Sequence, residues 1–297
     1  MSGVPVVLAV PGCEPAAEQL RARLGGEEGA RRIHRFPDGE VLIRIDTPVA
    51  GREVILVGSL DHPADKLLPL YFLASTARDL GAARVGLVAP YLAFMRQDSR
   101  FHQGEGVTSV YFARLLSSTV DWLVTVDPHL HRWASLDDVY AIPSRIARAA
   151  PAIAGWVRAE VARPLLVGPD AESEQWVAAV AEACDAPFII LEKTRRGDRD
   201  VSVSDPDVAA HAGRTPVLVD DIISTGRTMV ETLHQLTRAG MRDAVCVGVH
   251  GLFADDALDE LRAAGATRIV TCNTVPHDSN AICVWDAIAE ATGGLLT

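Results

Sequence analysis

Several things are scarce in this sequence, and each scarcity excludes a class of protein. Aromatic residues make up 5% of the 297 residues, and basic groups number 28 against 39 acidic ones, a net charge of −11. A general binder of nucleic acid or of a membrane surface needs a basic face, so neither is expected as a partner. Phosphate ligands stay open, because their sites are local. The five cysteines (Cys13, Cys184, Cys246, Cys272 and Cys283) show no close C-x-x-C spacing. That odd, scattered set argues against a disulfide framework or a zinc site and fits a reduced, cytoplasmic protein. No apolar run reaches transmembrane length. The start, Met1 to Val10, is strand-like and lacks the basic flank of a signal peptide.

What is present is apolar and regularly punctuated. Hydrophobic residues reach 48%, enough for a sizeable core, and the length suits two domains of roughly 150 residues each. Short apolar runs at 4–10, 53–57, 83–91, 122–126, 164–168, 187–191, 244–249 and 268–272 read as strands. Helical spacing at 15–24, 64–81, 107–116, from 174 through 183, from 229 to Gly240, 255–264 and 284–291 separates them. A further helix is expected from about Ser144, interrupted by Pro151. The alternation Val41, Ile43, Ile45 marks a half-exposed strand after the turn Pro37-Asp38-Gly39. Strands that alternate with helices imply an α/β fold with parallel sheets. The bridge into the second half is expected near Pro143, giving domains 1–143 and 144–297. The terminal helix is expected to pack back on the N-terminal half.

One stretch organises the rest: Pro216-Val217-Leu218-Val219-Asp220-Asp221-Ile222-Ile223-Ser224-Thr225-Gly226-Arg227-Thr228. It reads as a buried strand with two carboxylates at its end, then a small-residue loop opening a helix. Open α/β sheets place ligands at strand carboxyl ends, and the N–H groups at a helix start favour phosphate. An ordinary capped connection would carry a lone Thr-Gly equally well, but paired Asp before Ser-Thr-Gly-x-Thr is far more specific. Other polar clusters follow strands elsewhere. Arg96-Gln97-Asp98-Ser99-Arg100-Phe101-His102 suits a polyphosphate and a base or sugar edge; a solvated charged loop would look the same. Asp127-Pro128-His129-Leu130-His131 repeats the strand-then-Asp pattern, as an internal duplication would, and suits a divalent metal or a hydrogen-bonded structural His. Glu192 to Asp200 is dense in cations between two strands, as in a flap over polyphosphate or a solvated hairpin tip.

The Asp220–Thr228 stretch resembles the phosphoribosyl-pyrophosphate (PRPP) motif of type I phosphoribosyltransferases and PRPP synthetases. With Phe36-Pro37-Asp38-Gly39-Glu40, Arg96-Gln97-Asp98, Asp127-Pro128-His129, Gly168-Pro169-Asp170 and Lys193-Thr194-Arg195 in order before it, nearly the whole chain resembles the ribose-phosphate diphosphokinases. The Arg100-Phe101-His102-x-Gly104-Glu105 variant is similar to their archaeal-type branch. The resemblance implies two similar phosphoribosyltransferase-like domains, the first on the ATP side and the second on the ribose 5-phosphate side. It implies transfer of the diphosphoryl group of ATP to the C1 hydroxyl of ribose 5-phosphate, giving PRPP and AMP, with magnesium (Mg2+) as cofactor.

The same resemblance implies residue roles. Lys193 and Arg195 would be the catalytic flap cations. Arg96, Gln97 and Asp98 would bind ATP, and Phe36, Asp38 and Glu40 would reach the adenine site of a neighbouring subunit, implying a homo-oligomer. His129 and Asp170 would be linked to the metal. Asp220 and Asp221 would hold the ribose hydroxyls, with Ser224, Thr225, Gly226, Arg227 and Thr228 around its 5-phosphate. The chain departs from the family pattern at Ala171-Glu172-Ser173, where two glycines are usual, and at Pro128 and Arg227. The alternatives are a transferase that consumes PRPP, or a synthetase-like paralogue with a regulatory role or altered specificity.

Overall fold

The computed structural model describes residues 3–191, 195–196, 200–201 and 208–296. Contacts group the chain into two compact units, Met1–Ala147 with Trp285–Thr297, and Arg148–Val284. The boundary expected at 143 falls just before a strand that completes the first sheet.

The first unit runs β1 (Val6–Ala9), α1 (Glu14–Leu24), β2 (Glu27–Glu28), β3 (Arg31–Arg35), β4 (Val41–Ile45), β5 (Glu53–Val57), α2 (Pro63–Asp79), β6 (Arg84–Ala89), α3 (Thr108–Thr119), β7 (Trp122–Val126) and β8 (Ser144–Ala147). Its sheet has the order β2-β1-β5-β6-β7-β8, all parallel, while β3 and β4 form a separate antiparallel hairpin. The central strands are apolar on both faces, and Leu8, Ile55, Leu56, Leu87 and Leu123 are fully buried, as a sheet covered on both sides requires. Gly86 is dictated by packing: a Cβ there would lie 1.9 Å from the Trp122 ring on the neighbouring strand. The buried Trp122 indole N–H is satisfied by Glu53 Oε1 at 2.6 Å.

The second unit runs α4 (Ala150–Glu160), β9 (Pro164–Gly168), α5 (Glu174–Cys184), β10 (Phe188–Ile190), β11 (Arg195–Arg196), β12 (Asp200–Val201), β13 (Thr215–Ile223), α6 (Arg227–Arg238), β14 (Ala244–Gly251), α7 (Ala257–Ala263), β15 (Ala266–Cys272) and β16 (Asn280–Ile282). The sheet order is β10-β9-β13-β14-β15-β16, again parallel, with β11 and β12 as a separate antiparallel pair. Counting strands within each unit and setting the hairpins aside, both sheets read 2-1-3-4-5-6. Both carry their hairpin between the second and third strands. This repeated topology is what an internal duplication would leave. The core of the second unit gathers Leu165, Val167, Leu218, Met229, Leu233, Leu236, Cys246 and Leu261. The closing helix α8 (Trp285–Gly293) returns to the first unit and packs on α1 and β8.

Two expectations are corrected, and two further features carry no local signal. The helix expected from Ser144 is instead β8, a parallel partner of β7, and α4 begins at Ala150 with Pro151 in its first turn. Pro151 therefore starts the helix rather than interrupting it, since a first-turn N–H has no intrahelical partner to lose. The strand β3, Arg-Arg-Ile-His-Arg, carries no apolar run, because its hairpin buries little on either face. The strand at Val217 does not stop at Val219 but runs through both aspartates to Ile223. Finally, α3 takes Val107 as its N-cap, and the Thr108 and Ser109 hydroxyl oxygens are both buried without a partner. No helix among the described residues is long and apolar enough to cross a membrane.

Candidate active site

In both sheets the strand order reverses between the first and third strands of the unit. Loops leaving adjacent strands there go to opposite faces, which opens a crevice at the carboxyl ends. In the second unit those strands are β9 and β13, paired in register from Thr215 with Pro164 to Leu218 with Val167. Asp170 follows the end of β9, and Asp220 and Asp221 lie near the end of β13. The pairing therefore brings three carboxylates from two distant segments to one edge.

Their environments differ. Asp221 is 6% exposed and Asp220 half-buried. The Asp221 backbone N–H donates to Asp220 Oδ1 at 2.9 Å. Burial pushes the Asp220 carboxyl well above the usual carboxylate range, and the charges of Asp221 and Asp170 push it further. Asp170 caps a single 3-10 turn at Ala171–Ser173: its Oδ1 accepts from Ser173 N at 3.2 Å, and Ser173 Oγ donates to its carbonyl at 2.6 Å. Asp170 and Ser173 thus make Ala171–Ser173 a side-chain-capped turn. Oxygen-only donors with excess negative charge suit a hard divalent cation, Mg2+ among them.

Beyond β13 the chain crosses Ser224 and Thr225 and enters α6 at Gly226. Gly226 is the N-cap, with φ 69°, and a Cβ there would meet Leu261 at 3.3 Å. Both facts call for glycine. Ala254 N donates to Ser224 O and Phe253 N to Ile223 O, each at 3.0 Å, so the loop is pinned to the segment after β14. Ser224 and Thr228 stay partly exposed and Thr225 exposed, at the positive end of a twelve-residue helix. Three hydroxyls and free first-turn N–H groups describe an anion cradle. Arg227 is exposed at the first helical position. Replacing Gly226 by alanine is expected to strain the cap by about 1–3 kcal/mol. A thermal melt should show the loss, and affinity for a phosphate anion should fall with it; equal affinities for the variant and wild type would show that the cap geometry does not matter.

The first unit holds most of the other residues singled out in the sequence. Arg96 and Gln97 are exposed on the loop after β6. The Asp98 side chain, only 6% exposed, turns instead to Arg132 Nε at 3.3 Å. Gln97 accepts, through its carbonyl, the Ser109 N–H at the start of α3 at 3.2 Å, and Tyr140 Oη donates to Met95 Sδ at 3.8 Å beneath the loop. Phe36, Asp38 and Glu40 shape the tip of the β3–β4 hairpin. Phe36 N donates to Glu40 O at 2.8 Å, Glu40 N to Asp38 Oδ1 at 3.1 Å, and Phe36 is 41% exposed. His129 stacks edge-on against His131, ring centroids 3.8 Å apart. Arg132 was not singled out in the sequence; it follows Asp127-Pro128-His129-Leu130-His131 directly, which was the available signal. Arg195 lies in β11, its backbone paired with Val201, and Lys193 lies outside the described residues.

Two family models match the chain. One, described as the N-terminal domain of ribose phosphate pyrophosphokinase, matches residues 6–119; the other, a phosphoribosyl transferase domain, matches residues 135–286. A curated ribose-phosphate pyrophosphokinase from Methanopyrus kandleri is 32% identical over 293 residues, 98% of this chain and 99% of its own length. Those of Sulfurisphaera tokodaii and Sulfolobus acidocaldarius are 32% and 34% identical over 254 and 255 residues, each match covering 84% of this chain and 86% of the relative. Among solved structures, the phosphoribosylpyrophosphate synthetase from Mycobacterium smegmatis superposes with a TM-score of 0.85 over 99% of both chains, at 22% identity. That likeness speaks for the fold.

Proposed function

The chain belongs to the ribose-phosphate pyrophosphokinase family, transferases of nucleotide biosynthesis, and we propose that it transfers the diphosphoryl group of ATP to the C1 hydroxyl of ribose 5-phosphate. The observation that carries this reading is the edge of the second sheet. There the Asp220–Asp221 pair, beside Asp170, sits directly before the hydroxyl-lined start of α6. A sugar phosphate matches that order, with hydroxyls toward the carboxylates and phosphate toward the helix.

The roles follow from chemistry. Ionised carboxylates accept hydrogen bonds from the two ribose hydroxyls and fix the ring. Ser224, Thr225, Thr228 and the N–H groups after Gly226 hold the 5-phosphate, with Arg227 as an added cation. Arg96 and Gln97 face the polyphosphate and base of ATP, and Asp98 orders that loop through Arg132. Phe36, Asp38 and Glu40 present the hairpin tip to the adenine site of a neighbouring subunit, in a homo-oligomer. Lys193 and Arg195 neutralise charge that grows on the transferring phosphoryl groups.

Asp170 in the second unit and His129 in the first are each assigned a role toward Mg2+. The raised Asp220 carboxyl supports a bound cation nearby, because a dication would restore its ionised form. When bound, the metal supplies charge neutralisation between two polyanions. Everything else asked of the protein is positioning of the C1 hydroxyl in line with the β-phosphorus. We place the reaction in the cytoplasm, consistent with five scattered cysteines, an odd number with no C-x-x-C spacing.

Incubation with ATP, Mg2+ and ribose 5-phosphate should yield AMP and PRPP in equal amounts. Absence of AMP at saturating substrates would overturn the assignment. Formation of pyrophosphate from PRPP and a free base would favour the transferase alternative.

A further inference from the structure

The hydroxyl loop between β13 and α6 is short, and its shape is set by chain outside it. Backbone bonds tie it to the segment after β14. Leu252 N and Phe253 N both donate to Ile223 O, at 2.9 and 3.0 Å, and Ala254 N donates to Ser224 O at 3.0 Å. A trans peptide unit points its C=O and the following N–H in opposite directions. With the Ile223 and Ser224 carbonyls turned toward residues 252–254, the N–H groups of Ser224 and Thr225 are turned away from them. Any anion those N–H groups hold therefore depends on where residues 252–254 sit.

That segment is not a relaxed turn. Phe253 has φ 40° and Asp255 φ 53°. A bulky side chain adopts such left-handed values only where its surroundings impose them. The contacts on the Phe253 ring are identifiable. It packs against the core of the second unit, and it lies over Gly251, where a Cβ would come within 2.6 Å of the ring. It also meets the His277 imidazole, centroids 4.5 Å apart and planes inclined by 38°. His277 is held in turn: its Nδ1 accepts from Ser279 N at 3.0 Å, and its backbone N–H donates to Asn280 Oδ1 at 3.1 Å. Asn280 Nδ2 donates to Thr271 Oγ1 on β15 at 2.9 Å, and Thr271 N to Ser279 O at 2.9 Å. We propose that Phe253 and His277 are positioning residues for the anion cradle. Their ring contact joins the edge of β15 to the segment that orients the Ile223 and Ser224 carbonyls. The inference rests on the reading of this loop as the 5-phosphate grip, and it adds two residues that act on the grip from outside it.

Titration calorimetry with ribose 5-phosphate and with ATP reads each ligand without turnover. Phe253→Gly removes the ring while suiting the left-handed backbone. It should weaken ribose 5-phosphate binding about 10- to 100-fold, the range for losing an outer partner that orients ligating groups, and leave ATP affinity unchanged. His277→Asn keeps an acceptor for the Ser279 N–H but lacks the ring, and it should show the same selective loss. His277→Phe keeps a ring against Phe253 and should recover most of the affinity. Unchanged ribose 5-phosphate binding in Phe253→Gly would overturn the proposal, as would an equal loss for both ligands. Wild-type affinity in His277→Asn with loss in His277→Phe would also overturn it, by assigning His277 to its own loop alone. A protein that makes no PRPP but shows the selective loss keeps this inference and loses the diphosphokinase reading. A wild-type chain that binds neither ribose 5-phosphate nor inorganic phosphate would overturn the cradle and this inference together.

Discussion

Asp220→Asn is expected to make the metal-free protein more resistant to heat at neutral pH while lowering kcat/KM for PRPP formation roughly 10- to 150-fold, the range for a lost hydrogen bond to a charged group. The two effects have one cause. Asp220 is half-buried beside two further carboxylates, and its folded pKa stands above the unfolded value of about 3.9. For a group raised in this way, the stability it contributes is present below the unfolded pKa and is lost as pH rises through the folded pKa. Above that window the folded protein must carry an ionised Asp220 next to Asp221 and Asp170. Asparagine keeps the shape, removes the charge and removes the penalty. Melting curves should therefore separate the variant from wild type at mildly alkaline pH and bring the two together under acid. Mg2+ should raise the wild-type midpoint more than that of Asp220→Asn, since the cation relieves the same repulsion. A variant less stable than wild type across the whole pH range would sink this account.

Lys193→Ala is expected to reduce turnover about 100- to 1000-fold, the cost typical of removing one preorganised charge from a transition state, with KM for ribose 5-phosphate changed little. The sequence offers a natural control, because it contains only two lysines, Lys66 and Lys193. Lys66 is committed to structure: its ammonium donates to Ser59 O at 2.9 Å and to Asp61 Oδ1 at 2.7 Å, and both side chains of the pair are about 15% exposed (15% and 14%). Lys66→Ala should lower the melting temperature and leave kcat nearly intact. The pattern predicted for Lys193 is the reverse, a lost interaction that exists only as charge develops. An equal loss in substrate affinity and in kcat for Lys193→Ala would assign the lysine to ground-state binding instead.

Much of the fold was legible because its signals are local. The strand β9 occupies the residues 164–168 read from its apolar run, and β7 the residues 122–126. The turn residues Pro37 to Gly39 and the helix start after Gly226 were likewise marked by residues that permit few conformations. The errors fell where local signals conflict with tertiary demands. Ser144-Arg145-Ile146-Ala147 could serve in a helix or a strand, and only the open edge of β7 makes it a strand. Arg31 to Arg35 looks like solvated chain because its pairing with β4 needs no apolar face. The ion pair of Asp98 is also invisible locally, because its carboxylate meets Arg132, more than thirty residues away.

By itself the sequence determined which chemical groups this protein possesses: the aspartate pair, the hydroxyl loop, the cation-rich stretch from Glu192 to Asp200 and their order along the chain. Those are covalent facts, and the motif spacing that carries them survives any folding. Only the tertiary structure decided which groups share a site. Asp170 and Asp220 are neighbours because β13 pairs with β9 across some fifty residues of intervening chain, and that choice belongs to sheet order and hydrophobic burial, which no local pattern encodes. The same packing turned a plain aspartate into one held above its usual pKa, since burial and the Asp221 and Asp170 charges act through space rather than along the chain.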